Sequence, residues 1–183
     1  MNVRETALPG VVVIQPKVFT DARGWFVETF RRDRYATAGI EAELVQHNRS
    51  RSVHGVLRGL HYQRRQPQGK LLEVCSGEIF DVVVDLRRGS PTFTQWFGIR
   101  MTATEHTQLW IPPGFAHGFL VLSEVAEISY GCTAYYDPDD ACAIRWDDPE
   151  LAIAWPLVAP PLLSPADREA PFLRDALLPE GTP

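Results

Sequence analysis

The strongest constraint on this chain is how often its β-rich runs are interrupted. About ten runs of roughly four to nine residues are each closed off by Gly, Pro, Asp or Ser before a long helix could form. The spacing predicts strands over Gly10–Gln15, Trp25–Phe30, Glu43–Asn48, Val56–Gln63, Lys70–Cys75, Glu78–Leu86, Thr94–Met101, Gln108–Ile111, His117–Leu122 and Ala126–Ala134. In Glu78–Leu86, Phe80, Val82, Val84 and Leu86 face one way, and Asp81 and Asp85 the other. Cys75-Ser76-Gly77-Glu78 reads as a tight hairpin link, and Arg88-Gly89-Ser90-Pro91 as a turn. Many short strands at this spacing make an all-β sandwich or barrel, not a βαβ sheet.

Helix is expected only at the margins. Arg32–Gly39 reads as two turns ending on a glycine. Ser164-Pro165-Ala166-Asp167 supplies an N-cap serine, a proline at the first helical position and a carboxylate three residues after the serine. The proline-rich stretch 155–171 is expected to wrap over the barrel. A chain of 183 residues is enough for one well-filled domain. Its net charge of −5 opposes nucleic acid and anionic membrane surfaces, so any ligand phosphate needs a local cation cluster. No run of about 18 apolar residues is present, and Met1-Asn2-Val3-Arg4-Glu5 lacks the apolar core of a secretory signal. Cys75, Cys132 and Cys142 are an odd count with no CxxC spacing, read here as reduced thiols of a cytoplasmic protein.

Three stretches carry chemistry. Gly55-Val56-Leu57-Arg58-Gly59-Leu60-His61-Tyr62-Gln63 places a cation and an imidazole three residues apart, on opposite faces of a regular strand. A bulge at Gly59 would turn Arg58 and His61 into one cavity; a core histidine with an outward arginine is the plainer alternative. In Pro112-Pro113-Gly114-Phe115-Ala116-His117-Gly118-Phe119, the histidine suits either a pocket wall or a turn. Tyr130, in Tyr130-Gly131-Cys132-Thr133-Ala134-Tyr135-Tyr136-Asp137-Pro138, is core packing, a proton donor or a surface for a nucleobase; periodicity does not separate these. The five histidines form no HxH pair, and a three-histidine metal site assembled from distant strands has no positive support in the sequence.

Taken in order, the motifs resemble the dTDP-4-dehydrorhamnose 3,5-epimerase family. They are Phe19-Thr20-Asp21-Ala22-Arg23-Gly24, Gln46-His47-Asn48-Arg49-Ser50, Leu57-Arg58-Gly59-Leu60-His61-Tyr62-Gln63 and Gln68-Gly69-Lys70-Leu71. After them come Phe80-Asp81-Val82-Val83-Val84-Asp85-Leu86-Arg87, Ser90-Pro91-Thr92-Phe93, Ile111-Pro112-Pro113-Gly114-Phe115-Ala116-His117-Gly118-Phe119 and Trp146-Asp147-Asp148-Pro149. The resemblance implies a cupin-type jelly-roll β-barrel with a few short peripheral helices, a single epimerase domain with its core over about 10–135 and a wrapping segment over about 136–183. It also implies catalysis without metal or cofactor, and a homodimer exchanging amino-terminal strands.

The implied substrate is a dTDP-linked 4-keto sugar, whose ketone acidifies the hydrogens on carbons 3 and 5. By resemblance, His61 is the base, Asp167 its partner, Lys70 the cation near the enolate oxygen and Tyr130 the acid on the opposite face. Asp167 also fits a helix-capping role. Arg58 would hold the diphosphate, His117 the sugar region and Tyr136 the thymine, while Arg23, Glu28, Gln46 and Asn48 match positions contacting nucleotide or sugar across the dimer. Gln46 and Asn48 share strand parity, so both can face one cavity. Two positions depart from the family pattern: Ala166, where a lysine is common before the aspartate, and Ala141, where a glutamate is common. Both remove polar contacts and bear on nucleotide identity and on whether one carbon or both invert. The alternatives are a mono-epimerase of carbon 3 or carbon 5 alone in a secondary-metabolite deoxysugar pathway, a metal-dependent cupin enzyme, and a sugar-nucleotide binding barrel without catalysis.

Overall fold

A computed structural model describes residues 1–180. The elements in chain order are β1 (Asn2–Glu5), β2 (Val12–Gln15), β3 (Val18–Asp21), β4 (Gly24–Val27), helix α1 (Arg32–Ala36), β5 (Gln46–Val53), β6 (Leu57–Gln63) and β7 (Lys70–Ser76). They continue with β8 (Glu78–Asp85), β9 (Trp96–Thr102), β10 (Gln108–Ile111), β11 (Phe115–Val121), β12 (Val125–Cys132), β13 (Ala141–Ala143) and helix α2 (Pro165–Glu169). A six-stranded sheet, β1-β2-β10-β7-β12-β5, faces a five-stranded one, β13-β6-β11-β8-β9, and β3 and β4 form a separate hairpin. The named strands pair antiparallel throughout, and the two facing sheets close a jelly-roll barrel.

Three apolar layers explain the near-continuous hydrophobic runs. Between the sheets lie Val13, Leu72, Val74, Ile79, Val83, Met101, Leu109, Phe115, Phe119 and Ile128. Leu60, Tyr62, Val82, Val84 and Ala116, on the outer face of the smaller sheet, pack under Ile144, Leu151 and Leu173 of the carboxy-terminal wrap. On the outer face of the larger sheet, Val12, Ile14, Leu71 and Trp110 pack against Tyr35 and Ile40, beside α1. Strands covered on both faces cannot alternate polar with apolar, and β11 is buried at all seven positions.

Several expectations need correction. Cys75–Glu78 is not a hairpin: β7 and β8 belong to opposite sheets, and the link crosses the barrel. Gly77 (φ +79°) makes that crossing, and a Cβ there would lie 2.1 Å from Val125 O. β5 occupies Gln46–Val53, displaced from Glu43–Asn48, because it is a polar strand at the edge of its sheet with no apolar period to mark it. Val18–Asp21 pairs with Gly24–Val27, so the expected strand at Trp25–Phe30 stops early. β1, β3 and β13 were not expected. β13 places a strand inside the wrapping segment, paired with the His61 strand. The expected start of α2 holds, with Ser164 Oγ accepting from Asp167 N–H, but α1 is shorter than expected: it ends at Ala36 with Thr37 as its cap, and Gly39 (φ +81°) lies beyond it.

Candidate active site

β6 carries the bulge. His117 of β11 pairs with His61, but Phe119 pairs with Arg58, so three steps on β6 oppose two on β11. Gly59 (φ +128°) permits it: a Cβ there would meet Gly118 Cα at 2.5 Å and His117 O at 2.9 Å. His61 is thereby turned into a cavity of about 490 Å³ lined from both sheets.

One wall is a cross-strand ladder on the six-stranded sheet. Tyr130 lies between Asn48 and Leu72, and Cys132 between Gln46 and Lys70, so all of these side chains share the inner face. Gln46 Nε2 donates to Asn48 Oδ1 (2.9 Å), and Gln46 Oε1 accepts from Tyr136 N–H (2.9 Å). The other wall is β6 with β13, where Ala143 pairs with His61. His61 and Tyr130 therefore enter the cavity from opposite sheets. Ala141, Ala143 and Ala166 leave the wall beside His61 without a charged side chain.

Asp167 is almost fully buried beneath His61, with Oδ1 2.5 Å from the imidazole Nε2. Burial works to raise the Asp167 carboxyl, but bonds from His61, Ser164 and the Gly59 N–H outweigh it and hold it below the usual carboxylate range. An ionised carboxylate accepts only, so His61 Nε2–H donates and Nδ1 is left with a free lone pair. The capping box is only half formed: Ser164 caps α2, but the Asp167 carboxylate bonds the Ser164 hydroxyl rather than the Ser164 N–H. Ser164 Oγ–H donates to Asp167 Oδ2 (2.8 Å) and accepts from Asp167 N–H (3.0 Å), leaving Oδ1 for the histidine.

Burial pushes the Tyr130 phenol up, with Cys132 adding to this and Arg58 opposing it, so the hydroxyl keeps its proton at neutral pH. Burial pushes the Lys70 ammonium down; a Cys132 thiolate would pull it back up, as does the Asp81 carboxylate, but burial also pushes the Cys132 thiol up.

Of the other expected residues, Tyr136 lines the cavity, whereas Arg58, His117, Arg23 and Glu28 do not. The bulge turns Arg58 inward as well, opposite Phe119, but its Nε donates to Ser52 Oγ on β5 (3.0 Å) and it does not line the cavity. His117 is buried with Nε2 2.8 Å from Asp81 Oδ2. Arg23 sits on the β3–β4 hairpin in a bidentate pair with Asp21, and Glu28 pairs with Arg34; neither reaches the cavity of its own chain. Tyr136 is exposed at the rim. Asp81, the buried partner of His117, was not singled out in the sequence, although a carboxylate between buried valines and isoleucine was the available signal. Among the described residues, no three His, Cys, Asp or Glu side chains converge as metal ligands, and no helix is long and apolar enough to cross a membrane.

Comparison with known proteins fits this geometry. The family profile described as dTDP-4-dehydrorhamnose 3,5-epimerase matches residues 5–175. A Pseudomonas aeruginosa protein named dTDP-4-dehydrorhamnose 3,5-epimerase is 52% identical over 96% of this chain and 98% of its own. A Neisseria gonorrhoeae protein of the same name is also 52% identical, over 91% of this chain, which spans about half (51%) of that longer relative. Among solved structures, a Legionella pneumophila dTDP-6-deoxy-D-glucose-3,5-epimerase in complex with dTDP-4-keto-L-rhamnose superposes with a TM-score of 0.96. It is 48% identical, covering 100% of this chain and 99% of that one.

Proposed function

The chain belongs to the dTDP-4-dehydrorhamnose 3,5-epimerase family, and from that premise we propose that it epimerises carbons 3 and 5 of a dTDP-4-keto-6-deoxyhexose through an enolate. The observation that carries the reading is the opposed pair: an imidazole tied to a buried carboxylate on one sheet, and a protonated phenol on the other, across one cavity.

His61 Nδ1 removes the proton beside the ketone. The imidazolium that forms is stabilised by Asp167, which also fixes its tautomer. Negative charge develops on the carbon-4 oxygen, where the Lys70 ammonium at the cavity wall offsets it. Tyr130 then delivers a proton from the opposite face, which inverts the centre. The ketone already supplies the acidity this chemistry needs, so the reading invokes no cofactor. Tyr136 at the rim would stack on the thymine, with Gln46 and Asn48 alongside; Arg58 would bind the diphosphate, and His117 would bound the sugar region.

The assembly belongs to the same proposal: a single epimerase domain, with its core over about 10–135 and its wrap over about 136–183, forming a homodimer in the cytoplasm. Phe19, Trp25 and Phe26 expose half or more of their surface on the β3–β4 hairpin, which supports a hairpin that docks on a second copy. Exchange of amino-terminal segments would carry Arg23 and Glu28 to the partner's cavity. Free cysteines at 75, 132 and 142 suit a reducing compartment.

Incubating protein and substrate in deuterium oxide tests the chemistry. Proton NMR is expected to show deuterium at carbons 3 and 5, and His61→Ala to abolish it. Absence of deuterium from both carbons with the wild-type protein would end the reading.

A further inference from the structure

Beneath the cavity lies a carboxylate to which the proton-transfer scheme gives no role. Asp81 of β8 is fully buried. Its Oδ2 bonds His117 Nε2, while Oδ1 is a buried polar atom without a hydrogen-bond partner among the described residues. Leaving such an oxygen unpaired costs more than a typical hydrogen bond gains. Lys70 is nine-tenths buried on β7, in the opposite sheet, and lines the cavity. Burial pushes the Asp81 carboxyl up, with His117 and then Lys70 drawing it back down, and Asp81 in turn draws the Lys70 ammonium up. An ammonium carries three donors and a carboxylate oxygen only accepts, so the chemistries are complementary.

We propose that Asp81 is a positioning residue for Lys70: its buried carboxylate, open on the Oδ1 side, keeps the ammonium charged at the cavity wall through its field rather than by direct contact, while His117 fixes the carboxylate from the other side. Asp81 does not touch the substrate; it acts through Lys70. The neighbouring groups leave it this task. Cys132 and Tyr130 on β12 are both pushed up by burial and stay neutral at pH 7. His117 on β11 is bonded to Asp81, and Asp167 of α2 is bonded to the His61 imidazole of β6. Burial alone pushes Lys70 toward the neutral amine, and Asp81 is the carboxylate whose charge opposes that. The importance of a charged Lys70 for turnover rests on the proposed function; the coupling of the two groups does not.

The isosteric Asp81→Asn separates this role from a structural one. Initial rates of solvent-deuterium incorporation are measured from pH 6 to 10, with thermal unfolding as a control. The alkaline limb of kcat/KM is expected to move down by about one pH unit or more, so that the loss at pH 9 exceeds that at pH 6.5 by about tenfold. A loss of the same factor at every pH, or no loss, would overturn the proposal. If Asp81→Asn does not fold, Lys70→Met serves, because coupling is reciprocal. The carbon-13 signal of the Asp81 carboxyl should then titrate at higher pH than in the wild-type protein, read without substrate; an unchanged titration would overturn the proposal. Wild-type protein that incorporates no deuterium would sink the proposed function and leave the carboxyl titration standing.

Discussion

Asp167→Asn isolates the charge of the dyad while keeping its shape. The amide oxygen can still accept from His61 Nε2–H, and Ser164 can still cap α2, so the fold should lose little. What disappears is the attraction between the carboxylate and the imidazolium formed as the proton leaves carbon. For unit charges about 4 Å apart at an effective dielectric near 20, that attraction is about 4 kcal/mol. The His61 side chain is 47% exposed, so solvent screening reduces it to roughly 2–3 kcal/mol. At about 1.4 kcal/mol per decade, the rate should fall by roughly 30- to 200-fold. The assay is the initial rate of deuterium incorporation at saturating substrate and pH 7.5, alongside thermal unfolding. A rate within threefold of wild type would show that the carboxylate does not support the base. A large loss accompanied by a collapse in unfolding temperature would assign the effect to packing instead.

Other outcomes follow from the same geometry. Tyr130→Phe should keep most of the deuterium exchange into substrate while epimer formation falls by roughly 100-fold or more, the range of a lost general acid; parallel losses in both NMR readouts would refute the separation of roles. Gly59→Ala forces a Cβ against Gly118 and a positive φ on an alanine, a combined cost of about 3 kcal/mol. Calorimetry should show this as a Tm lower by roughly 6–12 °C. At Asp85, burial works against the charge, but bonds from Arg87, Ser90 and Thr92 prevail and hold the carboxyl below its ordinary value. Its stabilisation is therefore complete above about pH 4 and is lost as pH falls through the lower folded value, and urea midpoints at pH 6 and pH 3 should converge in Asp85→Asn. Phe26→Asp, on the exposed hairpin, should turn dimer into monomer in sedimentation velocity; a wild-type protein already monomeric would refute the docking role.

Local rules are written in consecutive residues, and the sequence alone determined whatever depends on them. The β-rich runs, the turn at Arg88–Pro91, the serine-capped α2 and the inward and outward faces of Glu78–Leu86 follow from period-two alternation, turn chemistry and capping. The ordered motifs also named the family and the residues to weigh. Tertiary structure decided who meets whom. His61 and Asp167 lie 106 residues apart, and His117 and Asp81 lie 36 apart; no local pattern encodes either bond. Strand β5 was displaced because a polar edge strand has no buried face to set a period, and the Cys75–Glu78 link was misread because a turn sequence does not say which sheet its strands join. Arg58 and His61 share a bulge, yet only the imidazole lines the cavity, because Ser52 offers the guanidinium a partner on another strand. The orphaned oxygen of Asp81 is the furthest from sequence: it exists only because two sheets close over it, and a side chain's solvation is a property of the packed barrel rather than of its neighbours in the chain.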